Sequence, residues 1–311
     1  GFGALIGGSA PLQAIYRLIA AVSQSHATVL LTGESGTGKE LVARTIHQQS
    51  ATRDAPFLAI NCAGLSETLL ESQLFGHRRG AFTGAHADHE GIFRAADGGT
   101  LLLDEIAEVP PPVQAKFLRA IQEREVLPLG ASRAVPVDVR LIAATNRTLE
   151  DEVRAGRFRE DLFYRLNVVA IEIPPLRARA DDIPALADHF LAEFAASFGV
   201  EPKRLTDRAR AVLRRHDWPG NVRELRNAIE RAFAISQSDT IDLADLPPTT
   251  SKRLVATPAA IAPPLPSLAD AEKDLILQAL AAAGGNKNEA ARLLGIDRQR
   301  LYRKIRLYGL A

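Results

Sequence analysis

The sequence predicts an α/β protein in which a three-layer parallel sheet comes first and two smaller helical units follow. Three observations predict this arrangement. Short apolar strands alternate with helical stretches as far as residue 173, a glycine-rich turn joins the first strand to the next helix, and after Pro174 and Pro175 only helical patterns follow. Strands that are apolar throughout are typical of a parallel sheet covered by helices on both faces.

Each element of the sheet region has its own local signal. Ser9 and Pro11 start an amphipathic helix whose apolar residues recur at helical spacing. An apolar strand at 28–32 precedes the glycine-rich turn, and a helix at 40–49 follows it. A further helix is predicted at 113–122. Further strands are predicted at 57–60, 100–103, 137–144 and 168–173.

The residue pattern divides the chain into four parts. Residues 1–173 form the α/β part, and residues 174–246 form a helical subdomain with helices at 183–197, 206–214 and 222–236. Residues 247–266 hold six of the 18 prolines without an amphipathic period, which indicates a linker. Residues 267–311 contain three capped helical stretches, with caps predicted at Ser267, Asn286 and Asp297.

The composition excludes several classes of protein. The 311 residues are 46% hydrophobic and 24% charged, with a net charge of +1, so a sizeable core is expected and bulk disorder is not. No apolar run approaches the roughly 20 residues that span a bilayer. The single cysteine, Cys62, is expected to be buried and fits a reducing, cytoplasmic compartment. Because the chain begins with Gly1 and lacks methionine, we expect further segments upstream.

A glycine-rich segment between the first strand and the next helix predicts a phosphate-binding loop. Its backbone N–H groups can converge on phosphate oxygens, and Lys39 can reach the β- and γ-phosphates. The alternative is an ordinary glycine-rich turn. Glu40 stands where a serine or threonine normally contacts Mg²⁺. The candidate ATP-binding residues are Gly33, Glu34, Ser35, Gly36, Thr37, Gly38, Lys39 and Glu40.

Two carboxylates end the buried strand that contains Leu101–Leu103. Asp104 can hold Mg²⁺ and Glu105 can polarise the water that attacks ATP. An Asp-Glu pair by itself is often only a solvated strand end. Together with a phosphate loop on another strand, the pair predicts ATP hydrolysis.

Two further segments indicate contact surfaces. An aromatic residue among glycines and alanines is typical of an exposed loop, although the loop could also be a turn with Phe82 folded back. This loop comprises Gly80, Ala81, Phe82, Thr83, Gly84 and Ala85. The basic stretch 287–306 reads as a helix-turn-helix whose second helix would enter the major groove, or else as a solvated charged helix. Its candidate DNA contacts are Lys287, Arg292, Arg298, Gln299, Arg300, Arg303 and Lys304.

At this point the chain resembles the bacterial enhancer-binding activators of sigma-54 RNA polymerase, a branch of the AAA+ ATPases. The phosphate loop GESGTGKE, the hexapeptide GAFTGA at 80–85, FREDLFYRL at 158–166 and WPGNVREL at 218–225 carry the resemblance. The glutamate Glu40 is the form that this family uses. The pattern is closest to metal- or envelope-stress response regulators of two-component systems, although their receiver domain is not in this sequence.

The resemblance implies roles that the residues alone leave open. Asn61 is similar to the residue that restrains the catalytic glutamate, or it caps a strand end. Asn146 is similar to the sensor of the γ-phosphate. Arg159 and Arg165 are similar to arginine fingers that act on a neighbouring subunit's ATP, and Arg223 to a sensor in the lid, which is the helical subdomain. Fingers that act in trans imply a hexameric or heptameric ring.

The function that the resemblance implies is activation of transcription. The protein would bind enhancer DNA and use ATP and Mg²⁺ to remodel the closed promoter complex of the sigma-54 RNA polymerase holoenzyme. One alternative is a DNA-binding regulator that keeps the fold without engaging sigma-54. The intact hexapeptide and Asp104-Glu105 argue against this alternative. Another is an AAA+ unfoldase, against which the helix-turn-helix counts.

Overall fold

The computed structural model describes residues 5–247 and 268–310. The chain folds as two units, Gly1–Leu254 and Val255–Ala311. The predicted linker therefore lies outside the described residues except for Pro247, and so does the predicted cap Ser267. The boundaries expected at residues 173, 246 and 266 stay predictions.

A five-stranded parallel sheet forms the centre of the first unit, as the sequence predicts. Its order is β2-β3-β6-β1-β7. Since every neighbouring pair is parallel, the carboxyl ends of all five strands lie at one edge. The strands are β1 Val29–Thr32, β2 Phe57–Asn61, β3 Thr100–Asp104, β6 Arg140–Thr145 and β7 Val169–Glu172.

Helices cover both faces of this sheet. Leu101 and Leu103 of β3 pack into one apolar cluster, whereas Leu102 between them packs into another on the opposite face. This alternation explains why the strand is apolar throughout. The helices are α1 Ala10–Ser23, α2 Lys39–Gln48, α3 Glu67–Phe75, α4 Ile92–Ala95, α5 Pro111–Glu123, α6 Leu149–Arg154 and α7 Glu160–Leu166.

Two local expectations differ from the structure. The strand predicted from residue 137 begins at Arg140, because the Val137 N–H donates to the Arg124 carbonyl and the Asp138 N–H to the Asp97 carboxylate. The sequence also did not predict the antiparallel hairpin of β4 (Glu125–Val126) and β5 (Val135–Pro136). Its strands have two residues each, which is too short for a detectable alternation.

The lid is helical, as predicted. A 3₁₀ segment, Leu176–Asp182, leads into α8 (Ile183–Phe198), and α9 (Asp207–Arg215) and α10 (Asn221–Ile235) follow. Trp218, the only tryptophan of the chain, is fully buried in the core of the lid. Two short strands of the lid, β8 (Arg204–Leu205) and β9 (Thr240–Ile241), pair in parallel.

Residues 268–310, the described part of the second unit, contain three helices, α11 (Leu268–Ala282), α12 (Lys287–Leu293) and α13 (Arg298–Tyr308). The side chains of Asn286 and Asp297 cap α12 and α13, as the sequence predicts. Within residues 5–247 and 268–310, no helix is long and apolar enough to cross a membrane.

Candidate nucleotide site and contact surfaces

A cavity of about 580 Å³ lies at the carboxyl edge of the sheet, between the sheet and the lid. It brings together the phosphate loop, the two carboxylates of β3 and Arg223 of α10, which are far apart in sequence. Apolar side chains from the lid line another part of it. The predicted site residues that line the cavity are Ser35, Gly36, Thr37, Gly38, Lys39, Glu40, Asp104, Glu105 and Arg223.

The phosphate loop holds Lys39 at the first turn of α2. Lys39 is only 7% exposed, and its ammonium group donates to the carbonyl oxygens of Gly33 at 2.9 Å and Glu34 at 3.3 Å. Burial lowers the pKa of Lys39, and the nearby charges of Glu105 and Asp104 oppose that shift. The site therefore places the Lys39 ammonium group and two carboxylates around the same space, at the positive end of a helix dipole.

Asp104 is the last residue of β3, and Glu105 follows it directly. One Asp104 carboxylate oxygen accepts the Glu105 N–H at 3.0 Å, and Glu105 has a left-handed backbone with φ of 52°. That conformation is uncommon for a residue with a side chain and is concentrated at functional sites. Carboxylate oxygens are the protein ligands that Mg²⁺ prefers, so Asp104 fits a magnesium site.

Cys62 lies behind these carboxylates. Its N–H donates to the Asp104 carbonyl at 2.9 Å, and its side chain is buried, as expected from the sequence. Burial raises the pKa of the thiol to about 12, with the charges of Asp104 and Glu105 adding to the shift. A thiol with this pKa stays protonated and unreactive at neutral pH.

The two candidate asparagines lie at the same edge of the sheet but do not line the cavity. Asn61 stands beside Asp104 in the β2–β3 register, and its side-chain oxygen accepts the Ala63 N–H at 2.8 Å. Asn146 is exposed and directly follows β6, which lies between β3 and β1. Both therefore lie at strand ends next to the nucleotide site.

The two candidate finger arginines lie outside the cavity of their own chain. Arg159 directly precedes α7, and its guanidinium pairs with the Asp161 carboxylate through contacts of 3.0 and 2.7 Å. This pair raises the pKa of Arg159 and lowers that of Asp161. Arg165 is exposed on the last turn of α7.

The lid contacts the phosphate loop through residues that the sequence did not single out. Arg177 donates two hydrogen bonds to the Glu34 carboxylate, at 2.9 and 2.6 Å. The Asn221 amide donates to Glu34 at 3.1 Å and to the Ser35 carbonyl at 3.0 Å. Hydrogen bonds from Arg177 and then Asn221 lower the pKa of Glu34 to about 2. No spacing rule links these residues, so only an alignment of relatives could have indicated them.

Glycine is required at one point of this contact. Gly36 has φ of +78°, and a Cβ atom there would lie 2.4 Å from the Gly220 carbonyl oxygen. The Val222 N–H donates to the Gly36 carbonyl at 3.0 Å. Arg223, one residue later, donates to the Ser35 hydroxyl at 3.2 Å. The start of α10 is therefore fixed directly on the phosphate loop.

The hexapeptide 80–85 forms a short closed turn. The Gly80 N–H donates to the Ala85 carbonyl at 2.9 Å. The Phe82 ring is half-buried and packs edge-on against His77 at 5.0 Å, whereas Thr83 is exposed. Phe82 is thus folded back in this conformation, which is the alternative that the sequence left open, and Thr83 is the accessible side chain at the tip.

The candidate DNA contacts of the second unit divide into two groups. Arg298, Gln299, Arg300 and Arg303 are exposed on α13. By contrast, Lys304 donates to Glu272 of α11 at 2.7 Å, which raises the pKa of Lys304, and Arg292 pairs with Glu289 on α12. Lys287 is half-buried and lies over the Tyr302 ring, which Arg298 also contacts. The four exposed residues on α13 are therefore the better candidates for contact with DNA.

Comparison with protein families matches three regions in order. Residues 5–172 match the sigma-54 interaction domain, residues 177–261 match an AAA+ ATPase lid domain, and residues 267–308 match the bacterial regulatory proteins of the Fis family. Transcriptional regulatory protein ZraR of Salmonella typhimurium is 54% identical over 303 residues, which cover 97% of this chain and 68% of ZraR. Response regulator protein PilR of Pseudomonas aeruginosa is 44% identical over 310 residues, which cover 98% of this chain and 70% of PilR.

A solved structure is similar over the same extent. The crystal structure of NtrX from Brucella abortus in complex with ATP has a TM-score of 0.76 and 34% identity, covering 98% of this chain and 69% of NtrX. The TM-score and the coverage together show that NtrX shares the fold of this chain.

Proposed function

Because the chain belongs to the family of bacterial sigma-54-dependent transcriptional activators, we propose that it assembles into a ring and uses ATP hydrolysis to open the promoter complex of sigma-54 RNA polymerase. The chain is an AAA+ ATPase with a Fis-type helix-turn-helix. The observation that carries the proposal is the division of the ATPase groups. The phosphate loop and both carboxylates line one cavity, while Arg159 and Arg165 lie outside it.

Within one subunit, the cavity supplies most of the groups that hydrolysis needs. Lys39 and the N–H groups at the start of α2 would bind the β- and γ-phosphates of ATP. Glu105 would orient the attacking water and accept its proton. Arg223 would read the nucleotide from the lid, because it already contacts Ser35 of the phosphate loop. Magnesium held by Asp104 would neutralise charge on the phosphate oxygens.

The remaining group that hydrolysis would need is a cation that reaches the γ-phosphate from outside this subunit. A fixed guanidinium stabilises the charge spread over the transition state, because arginine stays charged and presents its donors in a rigid planar fork. Arg159 and Arg165 are exposed on one segment, so a neighbouring subunit could supply them. We therefore place the active sites at subunit boundaries, with Asn146 sensing the γ-phosphate and Asn61 restraining Glu105 between cycles.

The loop 80–85 would transmit the ATPase cycle to sigma-54, and the second unit would select the enhancer DNA. The exposed tip of the loop, with Thr83 outermost and Phe82 released from His77, would contact sigma-54. The exposed face of α13 would bind enhancer DNA. This assignment separates the ATPase groups, the sigma-54 contact and the DNA contact onto three surfaces that can be altered independently.

Replacement of Thr83 by alanine tests the separation. Thr83 contributes nothing to the cavity, so Thr83→Ala should keep ATPase activity and DNA binding but lose open-complex formation. The measurements are ATP turnover and promoter melting with sigma-54 polymerase on a supercoiled template. As a control, Thr52→Ala, in the turn between α2 and β2, should leave melting intact. Melting by Thr83→Ala at the wild-type rate would exclude the loop as the sigma-54 contact.

A further inference from the structure

The Gln114 side chain is a fully buried polar group outside the nucleotide cavity. It lies on α5 with 0% exposure, and all its partners are backbone atoms. Its amide nitrogen donates to the Val109 carbonyl at 2.8 Å and to the Arg157 carbonyl at 2.9 Å. Its amide oxygen accepts the Arg159 N–H at 2.8 Å.

The orientation of this amide follows from its partners. Two carbonyl oxygens can only accept hydrogen bonds and a backbone N–H can only donate, so the nitrogen and oxygen positions cannot be exchanged. Both N–H groups of the amide are used. A buried polar group that is satisfied in this way rigidifies its surroundings, and the loss of one member leaves buried partners unpaired.

These three bonds join two functional segments. Val109 directly follows the 3₁₀ turn Ile106–Glu108, and the catalytic candidate Glu105 directly precedes that turn. Arg157 and Arg159 flank Phe158, whose side chain is buried in the core below the sheet. Gln114 therefore fixes the backbone on both sides of Phe158, and with it the point from which the Arg159 side chain leaves the surface.

We propose that Gln114 is a positioning residue for the arginine finger, setting Arg159 for the active site of a neighbouring subunit. The proposal rests on the trans arrangement proposed above. The exposed Arg159–Asp161 pair orients only the tip of the side chain, and exposed pairs hold geometry weakly. The Gln114 amide fixes the backbone itself. A displacement of about 1 Å in a catalytic group can lower the rate by about 10²-fold.

The experiment compares Gln114→Met with Gln122→Met. Methionine keeps much of the side-chain volume without the amide, and Gln122 is an exposed glutamine on the same helix. We expect Gln114→Met to keep ADP affinity and to lose ATPase activity by about 10²-fold, and Gln122→Met to behave as wild type. Wild-type activity of Gln114→Met would overturn the proposal.

Mixed assemblies then locate the defect. Subunits that lack only the finger should regain activity with Glu105→Gln subunits, which supply intact fingers to intact carboxylates. They should not regain it with Arg159→Ala subunits. Gln114→Met is expected to follow this pattern. Recovery with Arg159→Ala instead would place the defect at its own carboxylates, and recovery with neither would mark a general structural defect. Either result overturns the proposal.

Two controls make every result decisive. A mixture of Glu105→Gln and Arg159→Ala must recover activity, with co-purification of differently tagged subunits as proof of mixing. Failure of this pair refutes trans fingers, and hence the proposed function, independently of Gln114. Gln114→Asn, which is one methylene shorter, is the second variant if Gln114→Met does not fold. If neither binds ADP, Gln114 is a residue of core stability and the positioning role is wrong.

Discussion

Asn221 provides a sharp test of the contact between the lid and the phosphate loop. Its side chain is fully buried, its oxygen accepts the Leu176 N–H at 2.8 Å, and its nitrogen donates to Glu34 and Ser35. Its backbone φ is +52°. Asparagine is one of the few residues with a side chain that tolerates this conformation.

The side-chain hydrogen bond of Asn221 and its left-handed backbone contribute separately to the free energy of unfolding. Loss of the Asn221 oxygen leaves the buried Leu176 N–H without that partner, which costs about 1–3 kcal/mol. Alanine in the left-handed region adds about 1–2 kcal/mol, a penalty that glycine avoids. Asn221→Ala should therefore lower the free energy of unfolding by about 2–5 kcal/mol, and Asn221→Gly by about 1–2 kcal/mol less than alanine does.

Urea unfolding followed by tryptophan fluorescence measures both effects, because Trp218 is the only tryptophan and lies in the lid core. Asn227→Ala is the control, since Asn227 is an exposed asparagine on the same helix. An unchanged unfolding midpoint for Asn221→Ala would refute the importance of the contact. Equal losses for the alanine and glycine variants would refute the contribution of backbone strain.

Three further predictions concern the nucleotide site, the DNA reader and pH. Lys39→Ala should lose ATP binding in titration calorimetry, whereas Glu105→Gln should bind ATP without hydrolysing it; equal affinity of Lys39→Ala and wild type would contradict the assignment. Arg298→Ala should weaken specific DNA binding by about 1–3 kcal/mol if it reads a base, whereas a phosphate contact would weaken binding to all sequences and flatten the salt dependence. The folded state lowers the pKa of Glu34 from 4.5 to about 2, so the ionised Glu34 stabilises the fold fully at a pH above 4.5. This stabilisation is lost as the pH falls from 4.5 towards 2. The melting-temperature difference between wild type and Glu34→Gln should therefore be larger at about pH 6 than at about pH 3, and equal differences would contradict it.

Local signals in the sequence were enough for the parallel sheet, for three of the seven helices that cover it and for the helices of the lid. The signals are strands that are apolar on both faces and the caps Asn286 and Asp297. Each acts over a few residues, so its spacing can be read directly. The phosphate loop and the Asp104-Glu105 strand end could be recognised for the same reason. Carboxyl ends of parallel strands share one edge, which is why these two motifs meet in one cavity.

The sequence by itself therefore determined the chemistry of the nucleotide site, whereas the tertiary structure decided how that site is held. Asn221 and Glu34 are 187 residues apart, and Gln114 and Arg159 are 45 residues apart. No local sequence pattern predicts the hydrogen-bond partners of a buried amide, because those partners depend on which backbone atoms the packing brings within reach. The position of Phe82 against His77 was decided in the same way. Its composition allowed both an exposed and a folded-back ring, and only the packing of the loop selected between them.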